Sequence, residues 1–353
     1  MKERIIVLFG GRSAEHEVSV QSAVSVISNM DTKEFVPLPV GITKSGKWVA
    51  GLDPREMLFR GDRSVPLPLT GETNPIASIL AQGDVVFPVL HGPYGEDGSM
   101  QGLLEVMDVP YVGSGVTSSA LGMDKIFQKT IYRQMGIPVV DSVWTTDWSF
   151  ANDPADFLLR VKEQLGFPCF VKPANMGSSV GINKALDEES LHRFILAALH
   201  YDRKVLVEKY AKGREIECSV LGNDQACASL PGEVVPNDDY YSYSAKYESP
   251  SRLYIPAVLT PQQIVQIQDL ALKAYAALDC SGLARVDFFL TAAGVIYVNE
   301  LNTMPGFTTI SMYPKMWEAS GVSYTSLISK LIRLAQAKYA EKRRISVNHK
   351  ESF

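Results

Sequence analysis

The first third of the chain alternates short apolar runs with helix-period segments. Residues 4–9 (RIIVLF) are a continuous apolar run that stops at Gly10-Gly11, the pattern of a buried strand. Val20, Ala23, Val24 and Ile27 then fall at i, i+3, i+4 and i+7, one face of a helix. Residues 85–90 form a second apolar run, closed by His91-Gly92-Pro93, and residues 109–112 a third, ending at Gly113-Ser114-Gly115. This grammar predicts an open α/β unit, in which ligands bind where loops leave the C-terminal ends of strands. Residues 52–74, rich in Pro, Gly and charge, read as a surface excursion.

From Met123 the pattern changes toward α+β. Residues 167–172, 205–209 and 216–221 are strand-like, with helical segments between them. Thr260-Pro261-Gln262-Gln263 is a capping box with Pro at the first helical position, and Ile264, Ile267, Ala271, Ala274 and Leu278 form the apolar stripe behind it. Residues 283–290 and 295–301 predict a hairpin turning at Thr291-Ala292-Ala293-Gly294. Residues 338–353, polar and basic, read as a solvated tail.

Composition narrows the class. The 353 residues suit two or three domains, each able to bury a core. With 34 Lys plus Arg against 39 Asp plus Glu, the net charge of −5 gives no global field for nucleic acid. The four cysteines, Cys169, Cys218, Cys227 and Cys280, lack metal-ligand spacing and read as reduced core thiols. No signal-peptide pattern opens the chain and no apolar run is long enough to span a membrane. A cytoplasmic globular enzyme is the expectation.

Two phosphate-loop look-alikes fail on chemistry. Residues 41–48 (GITKSGKW) put Trp48 where a magnesium-binding hydroxyl belongs, so a turn between strands is the better reading. Residues 113–118 lack the third glycine of a dinucleotide fingerprint, and no acidic residue follows at ribose distance.

Three constellations carry chemistry. Arg285 and Asp287 are two apart on one predicted strand, and Glu300 and Asn302 two apart on the next. If those faces coincide, two carboxylates and an amide carbonyl converge beside an arginine, a hard oxygen set suited to Mg²⁺. A surface salt-bridge lattice is the alternative, disfavoured by the flanking Phe288, Phe289 and Val298. Residues 172–181 (KPANMGSSVG) deliver a lysine into a loop of small residues, which suits a phosphate nest or a flexible turn. Residues 238–247 (DDYYSYSAKY), with four tyrosines and one lysine, suit a lid over a ligand.

Together these segments resemble the D-alanine–D-alanine ligase family of the ATP-grasp superfamily. The motifs are GGRSAEHEVS (10–19), HGPYGEDGSMQG (91–102), GSGVTSSALGMDK (113–125), KPANMGSSVG (172–181), YYSYSAKY (240–247), ARVDFF (284–289) and NELNTMPGFT (299–308), spread over nearly the whole chain. The resemblance implies an N-terminal α/β domain over residues 1–121 that holds the first D-alanine, followed by an ATP-grasp fold. Its central subdomain would span 122–210 and its C-terminal one 211–353, with a lid near 234–254. Lys125 and Lys172 would meet ATP at its phosphates, Glu208, Lys209 and Ala211 at adenine, and Glu215 at the ribose, with Ser178, Ser179 and Lys246 also in the ATP site. Asp287, Glu300 and Asn302 would hold two Mg²⁺ ions, or Mn²⁺, and a monovalent cation site is open.

The implied reaction phosphorylates the carboxylate of one D-alanine, and the amine of a second then displaces phosphate. Arg285 and the backbone N–H of Gly306 would stabilise the tetrahedral oxyanion. Glu15 would pair with the first ammonium, near His91, although a helix N-terminal charge role is its simpler alternative. Lys246, Ser311 and Met312 would form the second-substrate pocket. Tyr247, bonded to Ser178, would select the dipeptide over the D-alanyl-D-lactate ester. Ala211, Ile310 and Met312 depart from many relatives and leave acceptor size open, D-serine included. A homodimer without nucleic-acid or membrane partners is implied; a non-catalytic ATP-grasp scaffold is the rival from another class.

Overall fold

The computed structural model describes residues 2–56, 76–178, 180–235 and 252–345. Three sheets carry the helices, with an α/β arrangement first and α+β arrangements after it. The first sheet contains β1 (Glu3–Gly10), β2 (Phe35–Ile42), β3 (Trp48–Ala50) and β4 (Val85–Pro88), in the order β3-β2-β1-β4. The central β1 runs parallel to β2 and β4, with Ile6 opposite both Leu38 and Val86. Covered on both faces, it is apolar without alternation, as its sequence predicted. Between β2 and β3 the Thr43 N–H donates to Lys47 O at 2.9 Å, so residues 41–48 are a hairpin turn. The run at 109–112 is no strand. Tyr111 makes an isolated bridge to Val86, because Pro110 has no N–H to extend the ladder and Gly113 turns away at φ +105°.

The second sheet is antiparallel, with β5 (Ser142–Thr146), β6 (Cys169–Pro173), β7 (Asn183–Ala185) and β8 (Lys204–Lys209) in the order β5-β8-β6-β7. Phe157, Val161, Leu191 and Ile195 of the helices Pro154–Gln164 and Glu188–Leu199 cover one face through Val171, Val205 and Val207. The third sheet comprises β9 (Gly213–Gly222), β10 (Cys227–Ala228), β11 (Gly232–Val235), β12 (Arg252–Tyr254), β13 (Gly282–Thr291) and β14 (Ile296–Asn302). Its backing helix, Pro261–Ala277, starts at the predicted capping box, where Thr260 Oγ1 accepts the Gln263 N–H and Gln263 Oε1 accepts the Thr260 N–H. Ile267, Ala271 and Ala274 bury against Ile216, Val220 and Phe288, and Leu278 follows the last turn. Ile264, one turn before this contact begins, is only half-buried.

The last helix, Tyr324–Lys342, returns to the first sheet. Leu327, Ile328, Leu331 and Ile332 share a core with Ile5, Phe9 and Phe87. This corrects the reading of a solvated tail for residues 338–342, which continue the helix; residues 340–345 are exposed, and 346–353 lie outside the described residues. The Lys338 ammonium donates to Gly113 O at 3.0 Å, Tyr339 OH to Asp108 O at 3.0 Å, and Lys342 pairs with Glu105. The last core residue of the helix is Ala335, and beyond it the contacts are these polar ones. No helix among the described residues is long and apolar enough to cross a membrane.

Candidate active site

The second and third sheets face each other across a cleft of about 310 Å³, lined by Lys172 and Glu208 on one side and Arg285, Asp287 and Glu300 on the other. Lys125, the first residue of the helix Lys125–Gln134, closes one end. The hairpin faces, whose coincidence the spacing left open, do coincide, because β13 and β14 pair Arg285 with Asn302 and Asp287 with Glu300. The next pair is Phe288 with Val298, so Asn299 is an extra residue, a bulge at the rim of the site. Arg285 forks onto Asp287, with Nε and Nη2 each 2.7 Å from a carboxylate oxygen, and its Nε lies 3.1 Å from Glu217 Oε2. Burial works against the guanidinium charge, but Asp287 and Glu217 outweigh it and raise its pKa. Asn302 Nδ2 donates to Asp287 Oδ2 at 3.1 Å.

Among the described residues no three His, Cys, Asp or Glu side chains gather at metal spacing. The donor set here is two carboxylates and an amide, which fits a hard divalent cation that keeps water or phosphate in its remaining positions. Both carboxylates already face cations, Asp287 with Arg285 and Glu300 with Lys125 at 3.4 Å.

Across the cleft Lys172 Nζ contacts Glu208 Oε2 at 2.5 Å and Asn299 Oδ1 at 3.3 Å. Lys129 meets the other oxygen of Glu208 at 2.7 Å. Burial alone would raise the Glu208 pKa, but the two lysines hold it down at about 2. Lys125 Nζ also donates to Met176 O at 2.7 Å, tying the loop after β6 to the site.

That loop reaches the N-terminal sheet. Ser178, at φ +51°, donates to the Glu15 carboxylate. Glu15 precedes the helix His16–Asn29 but makes no side-chain cap bond, so its charge is turned to the loop and not to the helix end. It is also hemmed in: a Cβ at Gly92 would lie 2.8 Å, and one at Gly177 2.9 Å, from Glu15 Oε2. His91 is buried, and burial lowers its pKa. Its Nδ1 lies 3.1 Å from Met304 O and its Nε2 3.3 Å from Ser22 Oγ, which pins the first sheet to the loop after β14.

Comparison with known proteins covers most of the chain. The family described as D-ala D-ala ligase N-terminus matches residues 4–114, and that described as D-ala D-ala ligase C-terminus matches residues 131–333. The chain belongs to the D-alanine–D-alanine ligase family. It is 46% identical to the D-alanine–D-alanine ligase of Acetivibrio thermocellus, over 96% of this chain and 97% of that one. It is 47% identical to that of Thermoanaerobacter sp. strain X514, over 97% and 98%. Among solved structures, the D-alanine-D-alanine ligase from Coxiella burnetii aligns with a TM-score of 0.82 at 36% identity, covering 97% of this chain and 98% of that one. The VanG D-Ala:D-Ser ligase from Enterococcus faecalis aligns equally well, 0.82 at 36%, covering 95% and 100%.

Within this ligase fold the cleft brings together Lys125, Lys172, Ser178, Glu208, Lys209, Ala211, Glu215, Arg285, Asp287 and Glu300, all expected from sequence. Gly306 and Ser311 lie together on the loop after β14, where Ser311 Oγ accepts the Thr308 N–H at 3.0 Å. Met312 packs with Val234 and Met316 in a small core and does not line the cleft, while Ile310 is exposed. Ser179, Lys246 and Tyr247 lie outside the described residues, as does most of the expected lid; its flanks are paired, Val235 opposite Arg252. The sequence reading missed Lys129, Asn299, Glu217 and Glu96. Lys129 alone carried a signal, one helical turn beyond Lys125 on the same face.

Proposed function

We propose that this chain joins two D-alanines to D-alanyl-D-alanine with ATP, for peptidoglycan precursors. The observation that carries the reading is the convergence of Lys172, Arg285, Asp287 and Glu300 on one cleft in a chain of this family. ATP transfers its γ-phosphoryl group to the carboxylate of the first D-alanine, giving D-alanyl phosphate and ADP. The amine of the second then attacks that carbonyl, loses its proton, and expels phosphate.

Lys125 and Lys172 would offset phosphate charge, with Ser179 and Lys246 beside them. Lys209 and Ala211 would take adenine together with Glu208, and Glu215 the ribose. Glu15, oriented by Ser178, would hold the first ammonium. Arg285 and the Gly306 N–H would stabilise the oxyanion, and Ser311 and Lys246 the second carboxylate. Asp287, Glu300 and Asn302 would hold Mg²⁺, two ions or their Mn²⁺ equivalents, which when bound supply Lewis-acid neutralisation of the phosphates. A domain division at 121 and 210, a cytoplasmic homodimer and a monovalent-cation requirement belong to the same proposal.

The fold does not choose the acceptor, since the likeness to a D-Ala:D-Ser ligase is as close as that to a D-alanine-D-alanine ligase. Tyr247 carries that choice in our reading. The test is phosphate release from ATP and Mg²⁺ with D-alanine alone, then with D-lactate or D-serine added, products identified by mass. D-alanyl-D-alanine as the main product at neutral pH is expected, and Tyr247→Phe should raise D-lactate use relative to D-alanine. A product dominated by ester overturns the Tyr247 reading; absence of D-alanine-dependent phosphate overturns the ligase reading.

A further inference from the structure

Lys129 is 1% exposed and does not line the cleft, so it cannot touch a nucleotide there. It stands directly behind the cleft wall. Its ammonium lies 2.7 Å from Glu208 Oε1 and donates to Asn299 O at 3.1 Å. Lys172, which does line the cleft, meets the other oxygen of the same carboxylate and the side-chain oxygen of the same asparagine. The four residues form a closed circuit of two cations, one anion and one amide.

The charge count in that circuit decides what Lys172 can do. With Lys129 in place the group carries one net positive charge, directed at the cleft through Lys172. Without it, Glu208 would have Lys172 as its remaining ion-pair partner in the circuit, and an arriving phosphate would compete with a buried carboxylate for that ammonium.

We infer that Lys129 is a positioning residue of the nucleotide site: by neutralising Glu208 from behind, it leaves the charge of Lys172 available to an anionic phosphate group. This rests on the assignment of Lys172 to the ATP phosphates. The position follows from the helix Lys125–Gln134, whose one-turn spacing sends Lys125 to the cleft and Lys129 to the wall behind it.

The experiment compares K129M, E208Q, K129M/E208Q and K172M in the full chain, measuring ADP affinity by calorimetry and KM for ATP and D-alanine separately. K129M should weaken ADP and raise the ATP KM by about tenfold, with the D-alanine KM unchanged. Whatever E208Q itself costs at adenine, adding K129M to it should cost little more, because the carboxylate that captures Lys172 is already gone. An unchanged ATP KM in K129M, or a K129M loss that is as large in the E208Q background as in the wild type, overturns the inference. If K129M alone does not fold, the double variant should match E208Q in ADP affinity, and a tenfold gap between them overturns it. A K172M protein that binds ADP like the wild type overturns the underlying assignment. Weak ADP binding in K172M beside normal binding in K129M overturns only the role of Lys129.

Discussion

The Glu96 carboxyl is buried near Glu15, and its Oε1 accepts the Gly92 N–H at 2.8 Å. Burial and the nearby charge of Glu15 push its pKa up to about 8, against smaller opposing effects of the Gly92 N–H, Lys125 and Arg285. Folded Glu96 therefore holds its proton between pH 4.5 and 8, where unfolded chains have lost it. The native state binds more protons in that window, so this residue makes stability fall as pH rises, by up to about 1.4 kcal/mol per pH unit. Glu96→Gln keeps an acceptor for Gly92 and should flatten urea-denaturation stability between pH 5 and 8. An unchanged slope in the variant would assign the pH dependence to another group. Nothing in HGPYGEDG distinguishes this carboxyl from its neighbour Asp97, since the shift comes first from burial and then from Glu15, and both are set by packing against other segments.

At the scale of elements, local chemistry fixed the helix Pro261–Ala277. Its cap is reciprocal, and its stripe is the surface that buries. Thr260→Ala should cost about 1 kcal/mol, read as a lower urea midpoint with unchanged slope, because one orphan N–H of the first turn loses its acceptor. The β13–β14 hairpin was legible for the same reason, since a period of two puts Arg285 with Asp287 and Glu300 with Asn302. The bulge was not legible. Which residue of β14 is skipped depends on pairing with β13, and that pairing puts the Asn299 side chain within reach of Lys172. The apolar run at 109–112 misled for a related reason: it has strand composition but makes a single bridge, to Val86.

For the whole molecule, the last helix closes the chain on its beginning. Leu331 is fully buried in a core that also holds Ile5, Phe87 and Phe307, with the Phe87 and Phe307 rings packed edge-on at 5.7 Å. Leu331→Ala should cost about 2–5 kcal/mol and shift one cooperative transition. An early, separate transition of the N-terminal sheet would show that this core does not couple the sheets. Arg333, two residues on, pairs with Glu3 at 2.6 Å and Glu34 at 2.8 Å but is 47% exposed, so Arg333→Ala should change stability by less than about 1 kcal/mol.

The amino-acid order alone determined where most strands and helices form, how the long helix is capped, and that each strand of the hairpin carries its chemistry-bearing pair on one face. Each of these depends on neighbours a few residues apart, through period, capping and turn chemistry. The motifs extended this to the family and most of the cleft. Tertiary structure decided which charge meets which. It seated Lys129 behind Glu208, turned Glu15 toward Ser178, joined His91 to Met304, and tied Lys338 of the basic last turns to Gly113. Those contacts join segments far apart in the chain, and periodicity shows that a face must be covered without showing what covers it.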